Sequence, residues 1–206
     1  MSFITTVPPA DARDEVAAMY RRQQESWGFV PNFAKVFSHR PELMGRWAAL
    51  LAEVKRPLDK RRLELITFSA AHELGHSACS LAHGRVLRQF FTDEEIVRVA
   101  EGRVEALLTP AEQAMLRFAR RVARDAASVT AEHVAELKAH GFSDAEVFDI
   151  AAVVGARAFF TKLLDAVGVL ADGPMGEMPA SLRDALAVGR PIDTAPVAAL
   201  PAAGSP

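Results

Sequence analysis

Three of the six histidines and the only cysteine of this 206-residue chain fall close together, at His72, His76, Cys79 and His83. On one continuous helix, turning about 100° per residue, the four lie within a stripe roughly 60° wide. Such a stripe has two chemical uses: to hold a metal, or to tune a thiolate. The bland alternative is a polar helix face with incidental histidines. Read as a metal site, His72-Glu73-Leu74-Gly75-His76 matches H-E-x-x-H, two zinc ligands one turn apart with a glutamate as the base of a protease. The context opposes this. The extended protease motif needs a third histidine at position 82, which is Ala82, and the pattern offers no strand to line a cleft.

Read as a thiolate site, the segment breaks at Gly75, since glycine just past a helix end is a common left-handed cap. A new helix then starts near His76 and places Cys79 in its first turn, where free N–H groups and the helix dipole favour an anion. The expectation is a thiol pKa below the free value of about 8.5. His83 lies one turn further along the same face, in reach of the sulfur as proton acceptor. Glu64, on the preceding helix, is the carboxylate that orients it.

The elements that must position these residues are helical. Thr92-x-x-Glu95, Thr109-Pro110-x-Glu112 and Ser143-x-x-Glu146 each form a capping-box pattern before an amphipathic run. Apolar spacing predicts helices over 11–26, 41–55, 59–74, 76–90, 93–101, 110–127, 130–139 and 143–168, hence an all-α bundle. The stretch 145–170 is apolar almost all round and is expected at the centre of the bundle or in a subunit interface. One domain is expected over 1–188. It is followed by a Pro/Ala-rich tail, 189–206, expected to be disordered or extended.

Composition narrows the function classes. The chain is 50% hydrophobic and 24% charged, with formal net charge −2, so it lacks the basic footprint of a nucleic-acid binder. One cysteine excludes an internal disulfide and a four-cysteine zinc site. There is no signal-peptide pattern and no long uncharged apolar run, so a cytoplasmic protein away from membranes is expected. Trp27, Phe29 and Phe33 read as loop packing, and Arg117, Arg120, Arg121 and Arg124 as a solvated face. Phe68, Phe90 and Phe91 are candidates to line a pocket beside Cys79.

The spacing Glu64-x11-His76-x2-Cys79-x3-His83 resembles the alkylhydroperoxidase D / carboxymuconolactone decarboxylase-like family, whose pattern is E-x11-C-x2-C-x3-H. Gly28-Phe-Val-Pro-Asn32, Leu108-Thr-Pro-Ala-Glu112, Gly141-Phe-Ser-Asp144 and Asp165-Ala-Val-Gly168 extend the likeness to the longer, peroxidase-related members. The resemblance implies an alkylhydroperoxidase D-like helical bundle that associates with copies of itself as dimer, trimer or hexamer. In the peroxidase branch it implies peroxide reduction, with the second cysteine attacking and the first resolving it. Glu64, Cys79 and His83 match that pattern, but His76 stands where the resolving cysteine belongs. Attack on a peroxide would leave a sulfenic acid that no second cysteine of the chain can capture, so an external thiol reductant is required. His76 then tunes the thiol or contacts substrate. Two alternatives stay open: acid–base chemistry on a small organic acid by His76 and His83, as in the decarboxylase branch, and a metal-binding or non-catalytic member. No cofactor is expected for the leading reading.

Overall fold

The computed structural model describes residues 2–197 and 199–200. Its helices are α1 (Asp14–Trp27), α2 (Asn32–Val36), α3 (Pro41–Lys55), α4 (Lys60–Glu73), α5 (Ser77–Leu87), α6 (Asp93–Ala100), α7 (Pro110–Asp125), α8 (Ala131–Ala139), α9 (Asp144–Ala166) and α10 (Ala180–Leu186). The described residues form no strand; their one bridge joins Ala171 to Ile192. The fold is all-α, as expected, with two short helices that the spacing did not reveal, α2 behind Pro31 and α10 behind Pro179.

The three capping boxes form as the sequence requires. Thr92, Thr109 and Ser143 each accept the N–H of the glutamate three residues on, and that glutamate accepts the N–H of the cap. Two orphan donors are satisfied at each start, which fixes where α6, α7 and α9 begin.

Helix α4 is the axis of the bundle, packed against α5, α7 and α9. Every residue from Leu63 to Ala71 is buried, and each fully buried Leu, Ile or Phe contributes about 1.5–3 kcal/mol. Of the two places expected for α9, the centre of the bundle is corrected here. The outer face of α9 carries Phe148, 71% exposed, and Phe159, 44% exposed, although Val147, Ile150, Val153 and Leu164 face inward. A helix this apolar is read from sequence as central, yet α4 already occupies the centre, so α9 lies against one side of it.

The apolar interior is in two parts. One surrounds α4, α6, α7, α8 and α10. The other gathers Met19, Tyr20, Val30, Phe37, Met44 and Trp47 from α1–α3 with Cys79 of α5 and Phe160 and Leu164 of α9. Cys79 therefore sits where the N-terminal helices close over the α4–α5 unit.

The chain after residue 188 lies along the domain as far as it is described. Gly189 donates its N–H to Ser77 Oγ at 2.9 Å, Asp193 N–H reaches Ala171 O at 2.8 Å, and Leu200 N–H reaches Gln24 Oε1 at 2.6 Å. A Cβ at Gly189 would stand 1.8 Å from the Gly75 carbonyl oxygen, so only glycine allows this approach. Residues 198 and 201–206 of the expected tail lie outside the described residues.

Candidate active site

Helix α4 ends where the sequence says it should. Gly75 adopts φ +70°, with Gly75 N–H donating to His72 O and His76 N–H donating to Ala71 O, both at 3.0 Å. This is the Schellman arrangement, and it turns the chain so that α5 starts afresh. The single stripe imagined for a continuous helix therefore does not exist. His72 stays on the α4 side, its Nε2 3.3 Å from Ala185 O of α10. His76 becomes the N-cap of α5, its Nδ1 accepting the Cys79 N–H at 3.1 Å. With its two histidines parted by this turn and His76 Nδ1 occupied, the H-E-x-x-H reading fails. Among the described residues no three His, Cys, Asp or Glu side chains gather as metal ligands.

Glu64, His76, Cys79 and His83 do come together, on one wall of a cavity of 390 Å³. Glu64 Oε2 lies 2.6 Å from His83 Nδ1. Burial raises the Glu64 carboxyl, but the His83 hydrogen bond and the nearby Lys55 and Arg157 charges outweigh it and hold the group below its ordinary value. An ionised carboxylate only accepts, so Nδ1 carries the proton and Nε2 is left as a basic lone pair. Burial, seconded by Arg157, brings the His83 pKa down to about 4, which keeps the imidazole neutral.

The resting thiol differs from the sequence expectation. Cys79 is only 6% exposed, and burial pushes its pKa up, with Arg157 pulling in the other direction. The helix start that was expected to acidify the sulfur does not offset its removal from water. His76 gives no cationic help either, because burial and Arg157 hold it to about 4 and its Nδ1 is committed to capping.

Sequence reasoning missed Arg157. It lies on α9, 5% exposed, and its Nη1 donates to Cys79 Sγ at 3.3 Å. The available signal was a lone arginine within the most apolar stretch of the chain, since a buried guanidinium needs a partner. Lys55, at the end of α3, lines the same cavity. The lining is also aromatic, and this corrects two further expectations. Trp27 and Phe33 meet edge to face at 6.0 Å, Phe33 meets Phe160 at 5.5 Å, and Trp47 stacks on Phe160 at 5.6 Å. Trp27 and Phe33 thus line the cavity instead of merely packing a loop. Phe68, Phe90 and Phe91 instead pack in or against the main core.

Comparison with known proteins places this site on a familiar scaffold. Residues 41–121 match the model of the carboxymuconolactone decarboxylase family. A search of curated proteins returned no match. Among solved structures, the alkylhydroperoxidase AhpD core of an uncharacterized peroxidase-related protein from Ralstonia eutropha JMP134 is similar, with TM-score 0.71 and 25% identity over 84% of this chain and 94% of that one. An uncharacterized peroxidase-related protein from a Silicibacter species gives TM-score 0.71 and 23% identity over 84% and 93%. The debrominase Bmp8, in complex with 2,3,4-tribromopyrrole, gives TM-score 0.67 and 19% identity over 90% and 98%. Over residues 41–121 the chain is thus similar to the carboxymuconolactone decarboxylase family, and its helical fold is similar to that of the alkylhydroperoxidase AhpD core.

Proposed function

We propose that the protein is a one-cysteine, thiol-dependent reductase of organic hydroperoxides. The observation that carries this reading is the grouping of Cys79, the Arg157 guanidinium and the Glu64–His83 pair on one cavity wall. A thiol that rests protonated needs a base, and His83 Nε2 is the one left free by the Glu64 bond. His83 takes the Cys79 proton, directly or through one cavity water, while Arg157 stabilises the thiolate. The sulfur attacks the terminal peroxide oxygen, the O–O bond breaks, and the departing alkoxide receives the proton from His83 as an alcohol. Cys79 is left as a sulfenic acid.

An external thiol completes the cycle. It condenses with the sulfenic acid, releasing water and forming a mixed disulfide, and a second equivalent frees Cys79 as a thiol. His76 supports this reading as the cap that holds the first turn of α5, and so the sulfur, in place. Turnover of cumene hydroperoxide with dithiothreitol should fall to background in Cys79→Ser. Retained turnover in that variant with loss in His83→Ala would instead establish acid–base chemistry by the histidines.

A second reading keeps the same thiolate and changes the electrophile. The aromatic wall of Trp27, Phe33, Trp47 and Phe160 suits a flat ring, and a debrominase shares the fold. Release of bromide from a brominated pyrrole, dependent on Cys79, together with no hydroperoxide turnover, would favour this alternative.

A further inference from the structure

The cations that line the cavity are not fully paired within the protein. Lys55 and Arg157 both line it. Glu64 is the carboxylate whose charge they share, and its Oε2 is engaged by His83 Nδ1 at 2.6 Å. The other carboxylate on the lining is Asp172. It accepts the Asn32 N–H at 2.9 Å, and burial raises its pKa to about 6. Both lining histidines, His76 and His83, are held neutral.

The cations themselves have donors to spare. Arg157 spends Nη1 on Cys79 Sγ, and its Nε is buried without a hydrogen-bond partner. Among the described residues the Lys55 ammonium makes no hydrogen bond or ion pair. A buried guanidinium beside a second cation is destabilising unless an anion answers it. The same cavity is lined by the aromatic rings of Trp27, Phe33, Trp47 and Phe160, with the Arg157 guanidinium 5.8 Å from the Phe160 ring centre.

We infer that Lys55 and Arg157 form an anion-binding subsite beside Cys79, so that the substrate is an apolar, flat molecule carrying one carboxylate-like group. In the reading above this is a carboxylated organic hydroperoxide, and the inference rests on the cavity being the place of reaction. The anion takes Lys55 and the spare Arg157 donors, the apolar body lies on the aromatic wall, and the reacting atom meets the sulfur. Lys55 is then a specificity residue. Its loss raises KM for anionic substrates more than for neutral ones.

The lone cysteine allows a test that needs no hydroperoxide turnover. The same thiolate attacks iodoacetate and iodoacetamide, displacing iodide from each, so the ratio of the two rates cancels the thiol pKa and reads the local charge. At Cys79 the ratio should exceed that of free cysteine by about tenfold, and Lys55→Met should lower it about fivefold, with Lys55→Arg restoring it. Benzoate should protect Cys79 from iodoacetamide, and benzyl alcohol should not. A ratio equal to that of free cysteine, a ratio unchanged in Lys55→Met, or equal protection by benzyl alcohol would overturn the subsite. A raised ratio in a protein that turns over no hydroperoxide would retain the subsite and reject the reductase.

Discussion

Four arginines of α7 and one arginine of α9 carry the same guanidinium and use it differently. Arg117 pairs with Glu136 at 2.5 Å, Arg124 with Glu73 at 2.7 Å, and Arg120 donates to the Val99 carbonyl at 2.5 Å. These side chains, with exposed Arg121, line a surface cavity of 410 Å³, slightly larger than the one that holds Cys79. Yet three of the four already have their partners within the fold. Arg157 stands alone on its helix, is nearly out of water, and has a sulfur as its hydrogen-bond acceptor. A site is marked by donors the fold leaves unanswered, and the number of cations says little about it.

The largest effect expected from this contrast is at Arg157. Replacing it by Met should lower hydroperoxide turnover at least about 100-fold and move the alkylation pKa of Cys79, already above that of a free thiol, further upward. Both follow from steady-state rates and from the pH dependence of iodoacetamide labelling. Equal losses in Arg157→Met and Arg121→Gln would erase the distinction between the two regions.

The histidines repeat the contrast on a smaller scale. His133 caps α8 at the surface, whereas His76 and His83 are held to about 4 against an ordinary 6.5. Between those values the unfolded chain binds the protons that the fold refuses, so stability is full above about pH 6.5 and drains away as the pH falls to 4. Each group contributes on the order of 2 kcal/mol to that loss. Urea melts at pH 7 and pH 4.5 should show the loss. A midpoint independent of pH would contradict the burial account of these two side chains.

Next in size is the cap. His76→Ala should cost about 1 kcal/mol by removing the acceptor for the Cys79 N–H, and His76→Ser should recover most of it. Thermal melts of the pair will show whether His76 holds the helix start. The smallest effect belongs to α7, where Arg121→Gln should change stability by less than about 0.5 kcal/mol and turnover by less than twofold.

What was readable in the sequence was mostly local. Thr92, Thr109 and Ser143 announce their helices because a capping box needs only residues three apart. Gly75 announces its turn because few other residues adopt positive φ without strain. Glu64, Cys79 and His83 were legible through the resemblance of their spacing, and α4 and α5 bring them together as that spacing implied. Arg157 was not legible, since its meaning depends on α9 packing beside a sulfur 78 positions away. The aromatic wall was misassigned for a related reason: Phe68 is close to Cys79 along the chain but faces the main core, while Trp27 and Phe33 arrive from the N-terminal helices. The thiol pKa was misjudged because a helix dipole can be inferred from position in a helix, whereas burial depends on the whole fold.

Whether the Cys79 sulfur reduces the peroxide is read out by mass spectrometry of the protein treated with one equivalent of cumene hydroperoxide. One oxygen should be added at Cys79, one equivalent of the alcohol should form, and the unmodified mass should return on adding dithiothreitol. Alcohol formed at the same rate with Cys79 unmodified throughout, or by Cys79→Ser, would contradict reduction by the sulfur.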